Sequence, residues 1–303
     1  MKLSVTVPSV AAQEGPTALA EFGQAVEEIG YDDLSVYDHV VMGYPTDTRP
    51  APMYPPQMPV IEALILLGHL AAVTERVTLT TEVLVLPQRQ PVLVAKQIST
   101  IDTLSGGRVR LGVGVGWQES EYEALDETFD DRGRRMDEAI AVLRTCWTEE
   151  RITLPGPQYT ADAVAMEPKP PQGRVPLWVG GGSPRALRRV GELGDGWMGT
   201  PADDPAVMTA MVDTIRRHAE KAGRDPDALG MQMMLQPPPR KKEDKVYYAD
   251  HDRVAARAET LAGLGFGWVS LNATAVFQAG ARSTGEMLDQ LQVLHDRIRP
   301  VVG

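Results

Sequence analysis

Apolar, β-branched segments alternate with helical segments eight times along this chain, and that alternation limits its fold most strongly. Strands joined through helices run parallel, and eight such units in 303 residues favour a (β/α)8 TIM barrel of the α/β class. An open, doubly wound sheet is the main alternative. The predicted strands are 2–8, 33–39, 77–87, 108–116, 176–182, 195–199, 229–237 and 266–273. The predicted helices are 16–30, 60–74, 91–107, 132–150, 183–194, 204–223, 251–265 and 284–300.

Two stretches interrupt the alternation. Residues 41–59 hold six prolines and no hydrophobic period, which predicts a long loop after strand two. Residues 151–175 combine hairpin-like and proline-rich pieces, which predicts an insertion before strand five, and 237–250 is predicted to be a polar loop. Nothing marks a boundary in mid-chain, so we predict one barrel domain over residues 1–303 with these insertions.

Composition and charge exclude several classes of partner. The net charge of −11 argues against binding to nucleic acid or to an acidic membrane, which needs clustered lysine and arginine. Accordingly, Arg240–Lys242 is interpreted as part of a solvated loop. The single cysteine, Cys146, excludes an internal disulfide and is interpreted as a core residue. Without a signal-like start or an apolar run of membrane length, a cytoplasmic protein is expected.

The carboxyl ends of barrel strands carry the chemistry of this fold. Tyr37, Asp38 and His39 close the predicted second strand, directly before the long loop. Histidine acts as an acid or a base near neutral pH, although His39 could instead bond loop carbonyls. The other histidines fall within or at the starts of helices, and no spacing typical of metal ligands occurs, so no metal site is predicted. These helical histidines are His69, His218, His251 and His295.

The end of the fifth strand has the composition of a phosphate-binding turn. Glycines 180–182 free the backbone to turn, Ser183 occupies an N-cap position, and Pro184 begins a helix whose N-terminus is partially positive. Such a terminus binds anions, although an ordinary tight turn with solvated arginines is the alternative. The nearby arginines are Arg185, Arg188 and Arg189.

Glycine also recurs at every second position near the end of the fourth strand, at 112, 114 and 116. Because strand residues alternate between faces, these glycines strip one face of side chains. Either another part of the backbone or a flat ligand must approach that face. Glu82, near the end of strand three, could place a carboxylate in the barrel mouth or simply lie beside a strained turn.

The segment TTEVLVLPQRQPVLVAKQISTIDTLSGGRVRLGVGVGW, residues 80–117, strongly resembles the luciferase-like monooxygenase superfamily. It is more narrowly similar to the branch that uses the deazaflavin coenzyme F420. The YDH at 37–39 and PLWVGGGSPRALRRVGELGDGW at 176–197 match the same family in the same order. The resemblance implies a (β/α)8 barrel with a flavin or deazaflavin ring at its mouth.

The resemblance also implies roles for individual residues. A non-prolyl cis peptide in a bulge of strand three, here Glu82–Val83, would support the ring from behind. Asp38 and His39 would touch the cofactor head, with His39 as the catalytic acid or base. Gly114, Gly116 and Trp117 would lie beside the cofactor, and Gly181, Gly182, Ser183 and Arg185 would hold its phosphate.

One position departs from the family pattern. In the sugar-phosphate dehydrogenase of this branch, a glutamate just after the strand-four glycines partners the histidine, and Trp117 stands there instead. We therefore do not carry sugar-phosphate oxidation over to this chain. The substrate pocket is expected between the 41–59 loop, Trp117 and the loops after strands seven and eight, with Arg282 as a candidate for binding an anionic group. Met42, Tyr44, Met53 and Tyr54 indicate an apolar ligand, unless they only pack the loop onto the barrel.

Three functions follow. The first is an F420-dependent oxidoreductase that transfers a hydride between deazaflavin C5 and a small organic substrate, and the arginines after strand five favour its anionic tail. The second is an FMN-dependent monooxygenase that takes reduced flavin from a separate reductase and activates oxygen. The third is a barrel that binds a ligand without turnover, which Asp38 and His39 disfavour. Because members of the family that this chain resembles often form dimers, a homodimer is expected.

Overall fold

Eight parallel strands close into a barrel within the part of the chain that the structure describes. The structure is a computed structural model that describes residues 1–15, 17–52, 54–202, 204–236 and 242–303, with the backbone alone for 242–245. The first strand pairs with the last, Lys2 opposite Trp268, and the third pairs with the fourth barrel strand, Leu79 opposite Val109. The sheet therefore has no open edge, which confirms the predicted TIM barrel over the open sheet.

The elements follow the predicted order. The strands are β1 (Lys2–Thr6), β2 (Asp33–Val36), β3 (Thr78–Thr81), β4 (Leu84–Val85), β5 (Val109–Gly114), β6 (Ile152–Pro155), β7 (Thr160–Val164), β8 (Leu177–Gly180), β9 (Gly196–Gly199), β10 (Gly230–Met234) and β11 (Trp268–Asn272). The helices are α1 (Ala18–Ile29), α2 (Ala63–Val73), α3 (Pro91–Leu104), α4 (Glu119–Ala124), α5 (Arg132–Thr148), α6 (Pro184–Leu193), α7 (Pro205–Lys221), α8 (His251–Gly263), α9 (Ala273–Gln278) and α10 (Thr284–Val302). Strands β6 and β7 form an antiparallel hairpin, and β4 extends the third barrel strand after a break.

The predicted third strand, 77–87, is wrong as one continuous strand. It ends at Thr81, resumes at Leu84, and passes into a 3₁₀ turn over Leu86–Gln88. The break surrounds a cis peptide bond between Glu82 and Val83, as the resemblance implies. A continuous apolar run on its own gives no sign of such a break.

The loops agree with the sequence in part. Residues 41–52 and 54–59 contain neither helix nor strand, and the 151–175 insertion holds the β6–β7 hairpin. The predicted loop 237–250 contains a 3₁₀ segment over Lys242–Ala249. The predicted solvation of Arg240–Lys242 lies outside the described residues and side chains.

The helices cover the barrel with one apolar face each. Helix α1 buries Leu19, Phe22 and Val26 at helical spacing and ends at Gly30, whose φ of 104° is left-handed. Among the described residues, no helix combines the length and the apolar character that a membrane span requires.

The barrel interior is unusually polar. Arg110 on β5 donates 2.8 Å to Gln232 on β10, and these strands are not neighbours, so the bond crosses the interior. The guanidinium lies 3.2 Å from the Asp33 carboxylate, between the rings of Trp178 and Trp268. Apolar branched residues usually fill this space, whereas an ion pair fills it here.

Candidate active site

The break in the third barrel strand forms a bulge at the barrel mouth. The Val85 N–H donates 2.8 Å to Asp38 Oδ2, and Arg89 Nη2 donates 2.7 Å to Asp38 Oδ1. Arg89 also donates 2.9 Å to Glu62 at the start of α2. Asp38 therefore anchors the far side of the bulge.

This arrangement shows a structural role for Asp38 that the sequence did not predict. Its side chain has no solvent exposure, and both carboxylate oxygens are engaged by Arg89 and Val85. Burial raises the pKa of the Asp38 carboxyl, while the Arg89 guanidinium acts in the opposite direction. Asp38 therefore holds the bulge in place, and its contact with a cofactor head stays a prediction.

Val83 projects from the bulge between two glycines. A Cβ on Gly114 would come within 2.7 Å of Val83 Cγ2, and one on Gly180 within 2.9 Å of Val83 Cγ1. A Cβ on Gly116 would meet Val85 Cγ1 at 2.7 Å. The glycines therefore make room for the protein's own bulge.

Gly112, earlier in β5, packs closely against another part of the backbone. A Cβ there would lie 2.1 Å from the carbonyl oxygen of Thr81 and 2.5 Å from Met198 Sδ. Of the two sequence-based alternatives, close approach of another backbone is therefore the one observed. Contact between a cofactor and Gly114 or Gly116 stays a prediction.

His39 lies at the mouth beside the long loop. Its side chain is 11% exposed, and Nδ1 is 3.2 Å from Glu121 Oε2. The other oxygen of Glu121 accepts the Val40 N–H, so one carboxylate holds both the ring and the backbone beside it. The rings of Tyr54 and Trp117 lie 6.0 and 5.6 Å from the imidazole. His39 is thus held by a specific partner and does not merely bond loop carbonyls.

Sequence reasoning missed Glu121. It lies in α4, which was not predicted because six residues are too few for an apolar period. A signal was nonetheless present, since Glu119 and Glu121 stand in the first turn, where acidic residues favour a helix start. Trp117 stands at the position of the family's glutamate. Glu121, four residues further along the chain, pairs with the histidine.

The turn after β8 presents free backbone donors. Gly181 has a φ of 109°, and its N–H is bonded to Met198 O at 3.3 Å. Within the described chain, no acceptor bonds the N–H groups of Gly182 and Ser183. The Ser183 hydroxyl caps α6 by accepting from Ala186 N at 3.2 Å. These are the features of an anion-binding helix N-terminus.

The three arginines of this region have different roles. Arg189 is buried and bonded to Asp137 of α5, and Arg188 lies 3.2 Å from the same carboxylate. The interpretation that both serve an anionic tail is therefore corrected, because they join α6 to α5. Arg185 is exposed, and among described residues its side chain bonds to none.

The residues predicted to bind substrate lie apart. A cavity of about 430 Å³ separates the 43–52 loop from Trp117 and the first residues of α4. Met42 is half-buried, and Tyr44 is 59% exposed with its hydroxyl accepting from Gln57. Arg282 lies beyond α9 with an exposed side chain, and no contact among described residues joins it to the mouth. Met53 lies outside the described residues.

Hydrogen bonding, packing, exposure or burial describes the surroundings of the remaining histidines and the cysteine. His218 lies 3.4 Å from Glu192, and His251 Nε2 lies 3.2 Å from Gln290. His295 packs edge-on against Tyr31, and His69 is exposed. Cys146 is buried, and that burial raises the pKa of its thiol.

Glu82 connects the bulge to the polar interior. Its carboxylate accepts 2.8 Å bonds from Ser35 and Ser270 and a 3.0 Å bond from Gln232. Burial raises the pKa of the Glu82 carboxyl, although these hydroxyl donors lower it. The bonds cross from β10 and β11 to the third barrel strand and so fix the near side of the bulge.

We expect Glu82→Gln to change how stability depends on pH. The pKa of Glu82 is raised in the folded protein, so that state keeps its proton where the unfolded chain has released it. Stability from this group is therefore present at low pH and is lost as pH rises through the folded pKa. Urea unfolding from about pH 4 to pH 7 would show the variant's free energy of unfolding increasing relative to that of the wild type as pH rises. Parallel curves would contradict this assignment.

A parallel barrel closed around a polar core, with a bulge, a histidine and a helix N-terminus at one mouth, defines the TIM-barrel class with its site at the carboxyl ends of the strands. Residues 1–270 match the family model described as luciferase-like monooxygenase. The chain belongs to that family.

Named relatives include both dehydrogenases and monooxygenases. The chain is 33% identical to an F420-dependent glucose-6-phosphate dehydrogenase of Microbacterium testaceum, over 79% of this chain and 67% of that protein. It is 31% identical to an FMNH(2)-dependent dimethylsulfone monooxygenase of Pseudomonas putida, over 76% of this chain and 65% of that one.

Solved structures share the fold. An F420-dependent secondary alcohol dehydrogenase in complex with an F420-acetone adduct superimposes with a TM-score of 0.78. The match covers 98% of this chain and 99% of that one at 19% sequence identity. At this identity the likeness establishes the barrel alone.

Proposed function

We propose that this protein is an F420-dependent oxidoreductase that transfers a hydride between the deazaflavin C5 and a small organic substrate. The observation that carries the proposal is His39, a proton-transfer group held by Glu121 beside the bulge. Interconversion of an alcohol and a carbonyl moves one hydride and one proton, so it needs such a group next to the reacting oxygen. The F420-dependent relatives support the same cofactor.

The residues at the mouth fit a deazaflavin or flavin. The unbonded N–H groups of Gly182 and Ser183 would hold its phosphate, and the half-exposed Val83 would support its ring. When bound, the cofactor supplies the hydride chemistry. The protein's part is to orient the substrate near Trp117 and to hold a proton on the His39 imidazole.

The second candidate is an FMN-dependent monooxygenase, and the relative from Pseudomonas putida favours it. The turn after β8, at Gly181, Gly182 and Ser183, fits both cofactors, since each carries a phosphate. This alternative needs oxygen and a reductase partner, whereas the first needs neither. A homodimer and a cytoplasmic location stay predictions under both.

Cofactor binding separates the two candidates. Oxidised F420 and FMN are titrated into the protein while tryptophan fluorescence is followed, with Trp117→Phe as the variant that lacks the indole at the mouth. We expect F420 to bind at least about tenfold more tightly than FMN, a difference of about 1.4 kcal/mol. Tighter binding of FMN, with oxygen consumption when reduced FMN is supplied, would establish the alternative.

We expect Arg185→Ala to weaken F420 binding about three- to tenfold, since one charge-assisted contact to an exposed anion contributes about 1 kcal/mol. Arg188→Ala is the matched control on the same helix, because Arg188 is already paired with Asp137 and Glu192. Fluorescence titration measures both. Equal losses would show that Arg185 has no particular role at the phosphate turn.

We do not extend the substrate of the glucose-6-phosphate dehydrogenases to this chain. Trp117 stands where that branch has a glutamate. The cavity beside Trp117 is lined by Pro50, Ala51 and Pro52 together with the charged Arg49, Glu119 and Glu123, so it favours neither an apolar nor a charged substrate.

A further inference from the structure

We propose that Glu121 is a positioning residue that fixes His39 as the tautomer with its proton on Nδ1. The inference rests on the proposed function for its meaning in turnover, but the tautomer itself is a property of the protein alone. It assigns to this chain a carboxylate–histidine pair that replaces the glutamate missing at position 117.

The geometry of Glu121 leaves one arrangement of protons. Its side chain is 2% exposed, with one oxygen 3.2 Å from His39 Nδ1 and the other accepting from the Val40 N–H. A carboxylate only accepts, so Nδ1 must donate. The neutral ring therefore keeps its lone pair on Nε2.

Among the residues that the structure describes, no other group competes for Nδ1 of the imidazole. The rings of Tyr54 and Trp117 pack against it edge-on at 6.0 and 5.6 Å. Nearby Asp38 is turned toward Arg89 and Val85. Glu121 is accordingly the group that decides which nitrogen carries the proton.

The tautomer determines what His39 can do. With Nε2 bare, the ring would accept the proton of a substrate hydroxyl, and a bound oxidised cofactor would accept the hydride from the adjacent carbon. The resulting imidazolium carries both N–H groups and stays bonded to Glu121 through Nδ1. In the reverse direction Nε2 returns that proton to the oxygen. With the proton on Nε2, the neutral ring could accept no proton there.

Glu121→Gln tests the assignment with little change in shape. The amide oxygen must still accept from Val40 N–H, which turns the amide NH₂ toward His39 Nδ1. Nδ1 must then accept, so the proton moves to Nε2. Side-chain ¹⁵N NMR of the protein without cofactor or substrate reports which nitrogen is protonated, and His39→Asn identifies the signals.

We expect the wild type to show a protonated Nδ1 at neutral pH and the variant to show a protonated Nε2. With F420 and an accepted alcohol, kcat falls at least about tenfold while KM changes less than about threefold. Glu28→Gln is the control, because Glu28 is an exposed carboxylate of α1 and does not line the cavity beside Trp117. It leaves both readouts unchanged.

A wild-type His39 with its proton on Nε2 overturns the proposal without any variant, which also covers a variant that fails to fold. An unchanged tautomer and kcat in Glu121→Gln overturns it equally. If F420 is not the cofactor, the wild-type NMR result still stands or falls by itself. The two proposals can therefore fail separately.

Discussion

His39→Asn lowers kcat at least about 100-fold, because general acid–base catalysis by a placed side chain contributes about 10²- to 10⁴-fold. Affinity for the cofactor stays within about threefold, since the proposed function places its phosphate at the turn around Ser183 and not at His39. Asparagine keeps a polar side chain that can donate to Glu121, so the fold and the loop beside Val40 are retained. Steady-state kinetics with F420 and a panel of alcohols gives kcat, and fluorescence titration gives the affinity.

His69→Asn is the control for this experiment. His69 lies on α2 with an exposed side chain, so its replacement leaves kcat and KM unchanged. A His39 variant with more than about a third of wild-type kcat would show that the proton passes through another group, and the proposed chemistry at the mouth would be wrong.

Arg110→Ala lowers the free energy of unfolding by about 3–5 kcal/mol, the range for breaking a buried ion pair by removing one partner. Arg110 is 4% exposed, and its loss leaves Asp33 without its cation and Gln232 without a donor. The cavity between Trp178 and Trp268 adds to this cost. Urea unfolding measures the change.

Arg76→Ala provides the comparison for a surface arginine. Arg76 is 68% exposed and its guanidinium lies 4.0 Å from Glu27, so its ion pair contributes at most about 1 kcal/mol. The double variant Arg110→Met with Asp33→Leu recovers part of the loss, because it removes the Asp33 carboxylate that Arg110→Ala leaves unpaired. Equal effects of Arg110→Ala and Arg76→Ala would show that the polar interior contributes little to stability.

The barrel and part of its mouth could be predicted from sequence because both depend on local patterns. Alternating strands and helices locate the strand ends, and the resemblance over 80–117 identifies the cis bond after Glu82. The N-cap role of Ser183 also follows from neighbouring residues alone. Each of these features is encoded within a few dozen residues.

Other features depend on contacts between distant parts of the chain. Arg110 and Gln232 are 122 positions apart, and His39 and Glu121 are 82 apart, so no local pattern relates either pair. The residues next to Arg188 in the sequence do not indicate that it pairs with Asp137 on another helix. One sequence identifies such groups but not their partners.

The glycines near the end of the fourth barrel strand show the same limit. Their spacing correctly predicts a face without side chains, but what fills that space depends on the bulge of a different strand. Val83 occupies it because the third strand breaks there. A flat ligand would leave the same pattern in the sequence.

A crystal structure of the protein soaked with F420 tests the central claim most directly. The account predicts a ring resting against Val83 within reach of His39, and a phosphate bound by the N–H groups of Gly182 and Ser183. Density for the cofactor elsewhere on the molecule, or a phosphate turn that stays empty at saturating F420, would contradict it.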